Sequence, residues 1–464
     1  MRASSTVNNK QHQTIDLDDY LPGVIPDQDK WLGWLIILSF AYMGFAQDWH
    51  ATNTGETISV WMFGILPVLA MSVLVLLFFF DRCVRVGLTD APLNYFEKGI
   101  MGRYAVMYCA FFIVVLSERM VPSPNDTPFN VWSYLMLFEM PLWGLLGFSF
   151  VNSQEKSEWL FGRMATIIAV GSVVSFALRI ALGSEPIPRL LGPAGWPMRF
   201  FFIFGFCWFF VKVLDGSRDI KIILGLLASS LETIVAFHKP FIVACTFAIL
   251  FILLLMAKRK KWFFRLASKF FIVSALIAGI FILIDYMTGG LYGTSLMEHF
   301  FTQYLKTDMS YTIKYDPSEA LIYLSGGRTK MWLIALERFF DDPLLGSGLD
   351  QLVDVRGVLI SLHNGYLEIL LSFGILGCIP VAIGLFKWFR HLIPNALSNE
   401  PGAVSSITFL GYMLAIMIYN LGGTSRLYIA SSFFMFFIFG AALRLAVASS
   451  SNSYLAEAET TANK

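Results

Sequence analysis

Long apolar runs separated by short charged connections constrain this chain more than any other feature. A helix crossing a bilayer needs roughly 17–25 mostly apolar residues. Inside hydrocarbon every backbone N–H and C=O must find a partner within the protein, so such runs are read as helices. Twelve stretches are of this kind: 31–46, 58–80, 103–117, 130–152, 164–183, 199–214, 220–236, 239–257, 269–288, 365–389, 402–421 and 427–448. Composition agrees. The 464 residues are 56% hydrophobic and 14% charged, against roughly 25% charged in a soluble protein. A soluble fold of this composition would expose large apolar patches, which excludes a soluble multidomain enzyme. Intrinsic disorder is excluded by the 44 Phe, 17 Tyr and 12 Trp. A net charge of +1 offers nothing to nucleic acid.

The expected fold class is therefore an all-α integral membrane protein of about twelve transmembrane helices. Residues 1–30 are polar, lack a cleavable signal pattern and read as a cytoplasmic tail. Residues 31–288 would hold helices one to nine, 365–448 helices ten to twelve, and 449–464 a second cytoplasmic tail. Between helices nine and ten, residues 289–364 make a loop too long to be a mere connection. Its apolar stretches and glycine punctuation predict an ordered extracytoplasmic cap.

Orientation follows from the basic residues, which concentrate on the cytoplasmic side. With the N-terminus inside, the inner segments carry 22 Lys and Arg, and the short outer connections carry five: Arg119, Arg189, Arg199, Lys239 and Arg426. The run Lys258–Lys261 by itself argues for one inner loop. Both termini are expected in the cytoplasm.

The five cysteines lie in or directly after apolar runs, and no pair has metal-ligand spacing, so they read as small packing residues. No repeat, phosphate-binding glycine loop or hydrolase elbow is present in the sequence.

Ionisable residues within membrane spans are costly and point to function. Four stand out: Glu139, Arg179, Glu232 and Glu368. Given the alternating directions of the spans, Arg179, Glu232 and Glu368 each fall about one turn from an outer end, whereas Glu139 is nearer the midplane. A transport pathway favours charges at the midplane. An outer grouping favours a site facing the exterior; mutual pairing, for instance of Arg179 with Glu232, is the plainer explanation.

The loop carries two motifs. Ser325-Gly326-Gly327-Arg328-Thr329-Lys330-Met331-Trp332 opens an amphipathic pattern through Phe340 that Asp341-Asp342-Pro343 ends. Arg328 thus stands in a first helical turn, where free N–H groups, the dipole and a forked guanidinium together suit a diphosphate. A solvated Arg on an interfacial helix is the alternative. The second motif runs Pro343-Leu344-Leu345-Gly346-Ser347-Gly348, then Ser361-Leu362-His363-Asn364-Gly365-Tyr366-Leu367-Glu368. Asn364 is the expected N-cap of helix ten. His363, just ahead of it, would be kept neutral by the helix dipole and able to accept a proton near neutral pH.

These motifs, with Phe373-Gly374-Ile375-Leu376-Gly377 following, resemble the O-antigen ligase and polymerase family of membrane glycosyltransferases. The plan of twelve spans with one large outer loop before span ten is also similar. The resemblance implies a GT-C-like membrane fold that moves a saccharide from undecaprenyl diphosphate to an acceptor hydroxyl on a glycan, lipid or protein. It implies no cofactor and no metal, no nucleic-acid partner, and a bacterial inner membrane with the active site facing the periplasm or exterior. The family's loop Arg and its His match Arg328 and His363. Its Ser-Arg pair at the outer start of the eighth span is replaced here by Phe237-His238-Lys239-Pro240. A second cation for the diphosphate would then come from Lys239, which lacks a bidentate fork, or from Arg189. Asn364, Glu368, Glu232 and Arg179 are supporting candidates. Ligase and polymerase stay open, and a flippase or exporter of lipid-linked saccharide is the alternative in another class.

Overall fold

The computed structural model describes residues 27–53, 66–86, 95–118, 131–181, 196–235, 239–260, 328–348, 352–355, 358–361, 364–398, 402–422 and 432–447, with seven single helical positions between 268 and 286. The helices are α1 (Asp27–Asn53), α2 (Leu66–Val86), α3 (Tyr95–Glu118), α4 (Val131–Phe150), α5 (Gln154–Ala181), α6 (Trp196–Asp215), α7 (Ile220–Val235), α8 (Lys239–Lys260), α9 (Arg328–Asp341), α10 (Gly365–Leu397) and α11 (Ala403–Gly422). A last helix, α12, spans Ser432–Val447.

Every apolar stretch but the ninth overlaps one of these helices, and the ninth lies largely outside the described residues. Three helices among the described residues are long and apolar enough to cross a membrane: Gln154–Val174, Gly365–Leu397 and Ala403–Leu421. The protein is thus an integral membrane protein in class, and twelve crossings remain the expectation of the sequence. Among the described residues one departure from an all-α chain occurs between positions 289 and 364: β1 (Leu352–Val355) and β2 (Val358–Ser361) form a two-stranded antiparallel hairpin. Its alternating Leu352-Val353-Asp354-Val355 and Val358-Leu359-Ile360-Ser361 are rich in β-branched residues, which suit a pleated ribbon better than a helix.

Helix α6 is the centre of the bundle. Its run Phe200–Val211 is apolar on every face, and every residue of it is buried. A helix hydrophobic all round has to be enclosed by others. Here α1, α5, α7, α8 and α11 pack around it, and Phe434 of α12 stacks on Phe201 with ring centroids 4.4 Å apart. Helices α4 and α12 cross at glycines. A Cβ on Gly440 would overlap the Gly144 carbonyl, and one on Gly147 the Phe437 carbonyl. Without those side chains the backbones approach closely, the usual basis of helix association in membranes.

One end of the bundle is charged. Lys156 pairs with Asp29 at 2.5 Å, Lys212 with Glu158 at 2.7 Å, and Arg259 with Asp215 at 3.2 Å. The Arg259 Nε also donates to the Ser398 carbonyl at 3.1 Å. Nearby, Ser157 and Ser405 share a hydrogen bond, and Asn395 donates to Ser406 at 2.7 Å. These contacts join the starts of α1, α5 and α11 to the ends of α6, α8 and α10. Most of the segments that the basic-residue count groups on one side of the membrane therefore meet at one end.

Candidate functional site

The opposite end gathers the candidate residues by backbone position. Arg179 is in the last turn of α5, Glu232 in the last turn of α7, Lys239 begins α8, and Glu368 is in the first turn of α10. The alternating span directions predict Arg179, Glu232 and Glu368 near the outer ends of spans. The helix directions put them at a common end, away from the ion pairs described above. The side chains of Arg179, Glu232, Lys239 and Arg328 are outside the described residues, as are Arg189 and His363 altogether. Arg328 is the first residue of α9, as the periodicity predicts.

Asn364 caps α10 as expected. Its backbone is extended (φ −146°, ψ 105°), and its side-chain oxygen accepts from the backbone N–H groups of Tyr366 at 3.1 Å and Leu367 at 3.2 Å. This satisfies two of the donors that a helix start leaves free. The cap is also tied sideways. The Asn364 amide donates to the Leu421 carbonyl at 3.4 Å, and the Tyr366 hydroxyl to Met417 at 2.8 Å. Gly365 lies against Asn420, where a Cβ would come within 2.7 Å of its Oδ1. Thus the start of α10, directly after His363, is fixed to the end of α11. Glu368 is buried here, and a carboxylate in a first turn is favoured by the helix dipole.

The second motif has a structural role that the sequence did not disclose. Helix α10 breaks at Gly374 (φ 58°, ψ −170°). The break frees backbone groups that hydrocarbon cannot satisfy, and the segment Asp342–Gly348 supplies their partners. The Leu371 carbonyl accepts from Ser347 N at 2.7 Å, while Ile375 N and Leu376 N donate to Pro343 O at 2.9 Å and Leu344 O at 3.0 Å. The segment is held in shape by Gly346 N donating to Asp342 O at 3.1 Å, with Ser347 Oγ 3.4 Å from Asp342 Oδ2. Gly346 has φ 80°, and a Cβ there would come within 2.6 Å of Gly374 N. The two glycines face each other where the segment enters the break. Because this splice follows α9 directly, it locks α9 onto the first half of α10, where Ala335 packs against Leu371 and Leu367. The signal is present in two glycine-bearing motifs, around Gly346 and Gly374, that are distant in sequence; nothing local indicates that they pair.

Glu139 falls outside the grouping, as expected, and is 4% exposed. The Ser72 hydroxyl accepts from Trp143 Nε1 at 2.8 Å and hydrogen-bonds the Glu139 carboxyl, so α2 and α4 share a buried polar chain.

The fold and this end define a helical integral membrane protein with a capped helix whose break is spliced by the segment Asp342–Gly348. Residues 224–382, about a third of the chain, match the family described as O-antigen ligase. The matched segment contains Glu232, Lys239, Arg328, His363, Asn364, Glu368 and the splice, and leaves out Arg179 and Arg189. No curated protein matches the chain.

Proposed function

We propose that this protein is a membrane glycosyltransferase that moves a saccharide from undecaprenyl diphosphate to an acceptor hydroxyl at the outer leaflet of a bacterial inner membrane. The O-antigen ligase match over 224–382 carries the reading, since it spans Arg328 with its helix and His363 with the Asn364 cap that follows it. Arg328, at the start of α9, binds the carrier diphosphate, whose departure needs positive charge. Lys239 is favoured over Arg189 as the second cation, because it lies in the matched segment and at a helix start, where the dipole adds to its charge. His363 takes the acceptor proton as the hydroxyl attacks the anomeric carbon and the C–O bond to diphosphate breaks. Direct displacement of this kind inverts the anomeric centre.

The acceptor is a glycan, lipid or protein. Purified protein in lipid with a lipid-linked saccharide tests the reading. A transferase leaves free undecaprenyl diphosphate and an extended acceptor. Intact lipid-linked saccharide moved across the membrane, with none consumed, would instead make the protein a flippase. In the host, gene loss distinguishes the two transferases. Polymer stranded on the carrier marks a ligase, and single repeats on the acceptor mark a polymerase.

A further inference from the structure

Helix α9 is more apolar than its packing requires. Met331 and Ala335 are buried, and Ala335 lies against Leu371 of α10, which accounts for one side. A second apolar row, Trp332, Leu336 and Phe340, follows at successive turns, with Leu333 beside it. Leu333 is 54% exposed and Phe340 73% exposed. The remaining side is polar, with Glu337 and Asp341 exposed. Trp332 and Leu336 are half-buried, and the apolar surface that Leu333 and Phe340 expose does not stop at the end of the helix. Leu344, also exposed, joins α10 through the bond from Leu376 N to Leu344 O. On α10 the exposed row continues through Ile375, Leu376 and Ile379, in a helix long and apolar enough to cross a membrane. Exposed apolar residues on such a helix face acyl chains. An apolar quadrant that is continuous with them, carries a Trp and lies beside a polar side has the amphipathic make-up of an interfacial helix.

We propose that the quadrant of α9 bearing Trp332, Leu336, Phe340 and Leu333 is a membrane-contact surface, seated among the acyl chains just below the lipid headgroups. The ligand is the bilayer itself. The row is continuous with the lipid-facing side of α10, and the splice prevents α9 from lifting away from it. The surface holds whether or not the chain transfers saccharide.

The test uses the full chain in nanodiscs of phosphatidylethanolamine and phosphatidylglycerol. On a background lacking the five native cysteines, a fluorophore is placed by Leu333→Cys, Phe340→Cys or Asp341→Cys. Labels at 333 and 340 should be quenched by lipids bearing a nitroxide near the headgroup, and quenched by aqueous iodide several-fold less than the label at 341. In the unaltered chain, a lipid-borne photoreactive diazirine should modify the 331–344 peptide on Leu333 or Phe340. Equal iodide quenching on both sides, with no lipid-borne modification, overturns the proposal. So does shielding from both quenchers, which would mean a protein cover. Shielding lost in discs holding one copy would assign the surface to a second copy of the chain instead.

Discussion

Replacing Gly374 by Ala should damage this protein far more than an ordinary Gly→Ala change in a helix. Gly374 has φ 58° and ψ −170°, a conformation nearly confined to glycine. An alanine forced to keep it costs about 1–3 kcal/mol. Its Cβ would also overlap the Leu344 carbonyl and come within 2.6 Å of Gly346 N. Either the splice retreats or the helix straightens. Both outcomes break the bonds from Ile375 N and Leu376 N, each worth about 0.5–1.5 kcal/mol net. Where the conformation is kept and the splice retreats, the strain and the two lost bonds together come to about 2–6 kcal/mol. Gly102→Ala in α3 is the control, because nothing lies within 4 Å of a Cβ there, and relief of glycine's entropy should stabilise by about 0.5–1 kcal/mol. Thermal unfolding of both variants in matched nanodiscs, with a spin-label distance between α9 and α10, reads the effect. Gly374→Ala should melt well below the wild type and widen the distance, while Gly102→Ala should do neither. A Gly374→Ala protein as stable as the wild type, with the distance unchanged, would show that the splice does not hold the break.

Four further outcomes are expected. His363→Ala should lower transfer by about 10²–10⁴-fold while donor binding persists; a wild-type rate from pH 6 to 8 would remove the proposed base. Arg328→Lys keeps the charge and loses the fork, so donor use should weaken, and full activity in Arg328→Ala would take Arg328 out of the mechanism. Asn364→Ala removes a cap with two bonded N–H groups and should cost about 0.5–2 kcal/mol, with Asn364→Asp largely restoring stability; an unchanged melt for Asn364→Ala would show the cap to be dispensable. A cysteine at Ser310 should react with an impermeant thiol reagent from outside and one at Lys260 should not; the reverse pattern would invert the topology on which the site rests.

Much of the local structure was legible in the residues themselves. Lipid leaves the backbone few options, so the apolar stretches had to be helices, and those within the described residues are. The limits of α9 follow from chemistry written at its ends, an apolar period opening at Arg328 and Asp341-Asp342-Pro343 closing it. Asn364 could be named as a cap because its partners are two and three residues away. The gathering of Arg179, Glu232, Lys239 and Glu368 at one end follows from alternating helix directions, which basic residues report.

What tertiary structure alone decided is whatever depends on partners distant in sequence. Gly374 sits inside a 33-residue apolar helix, and an isolated glycine there has several meanings. Only contact with Asp342–Gly348 shows that the helix breaks and why the break is tolerated, because the freed backbone groups need donors and acceptors that lie outside the helix. The same holds for the enclosure of α6, for the Gly144–Gly440 crossing and for the ion pairs linking four helices. Hydrophobicity and backbone hydrogen bonding act locally and can be read residue by residue. Close packing and the rescue of a broken helix are relations between segments, and they exist only once the chain has folded.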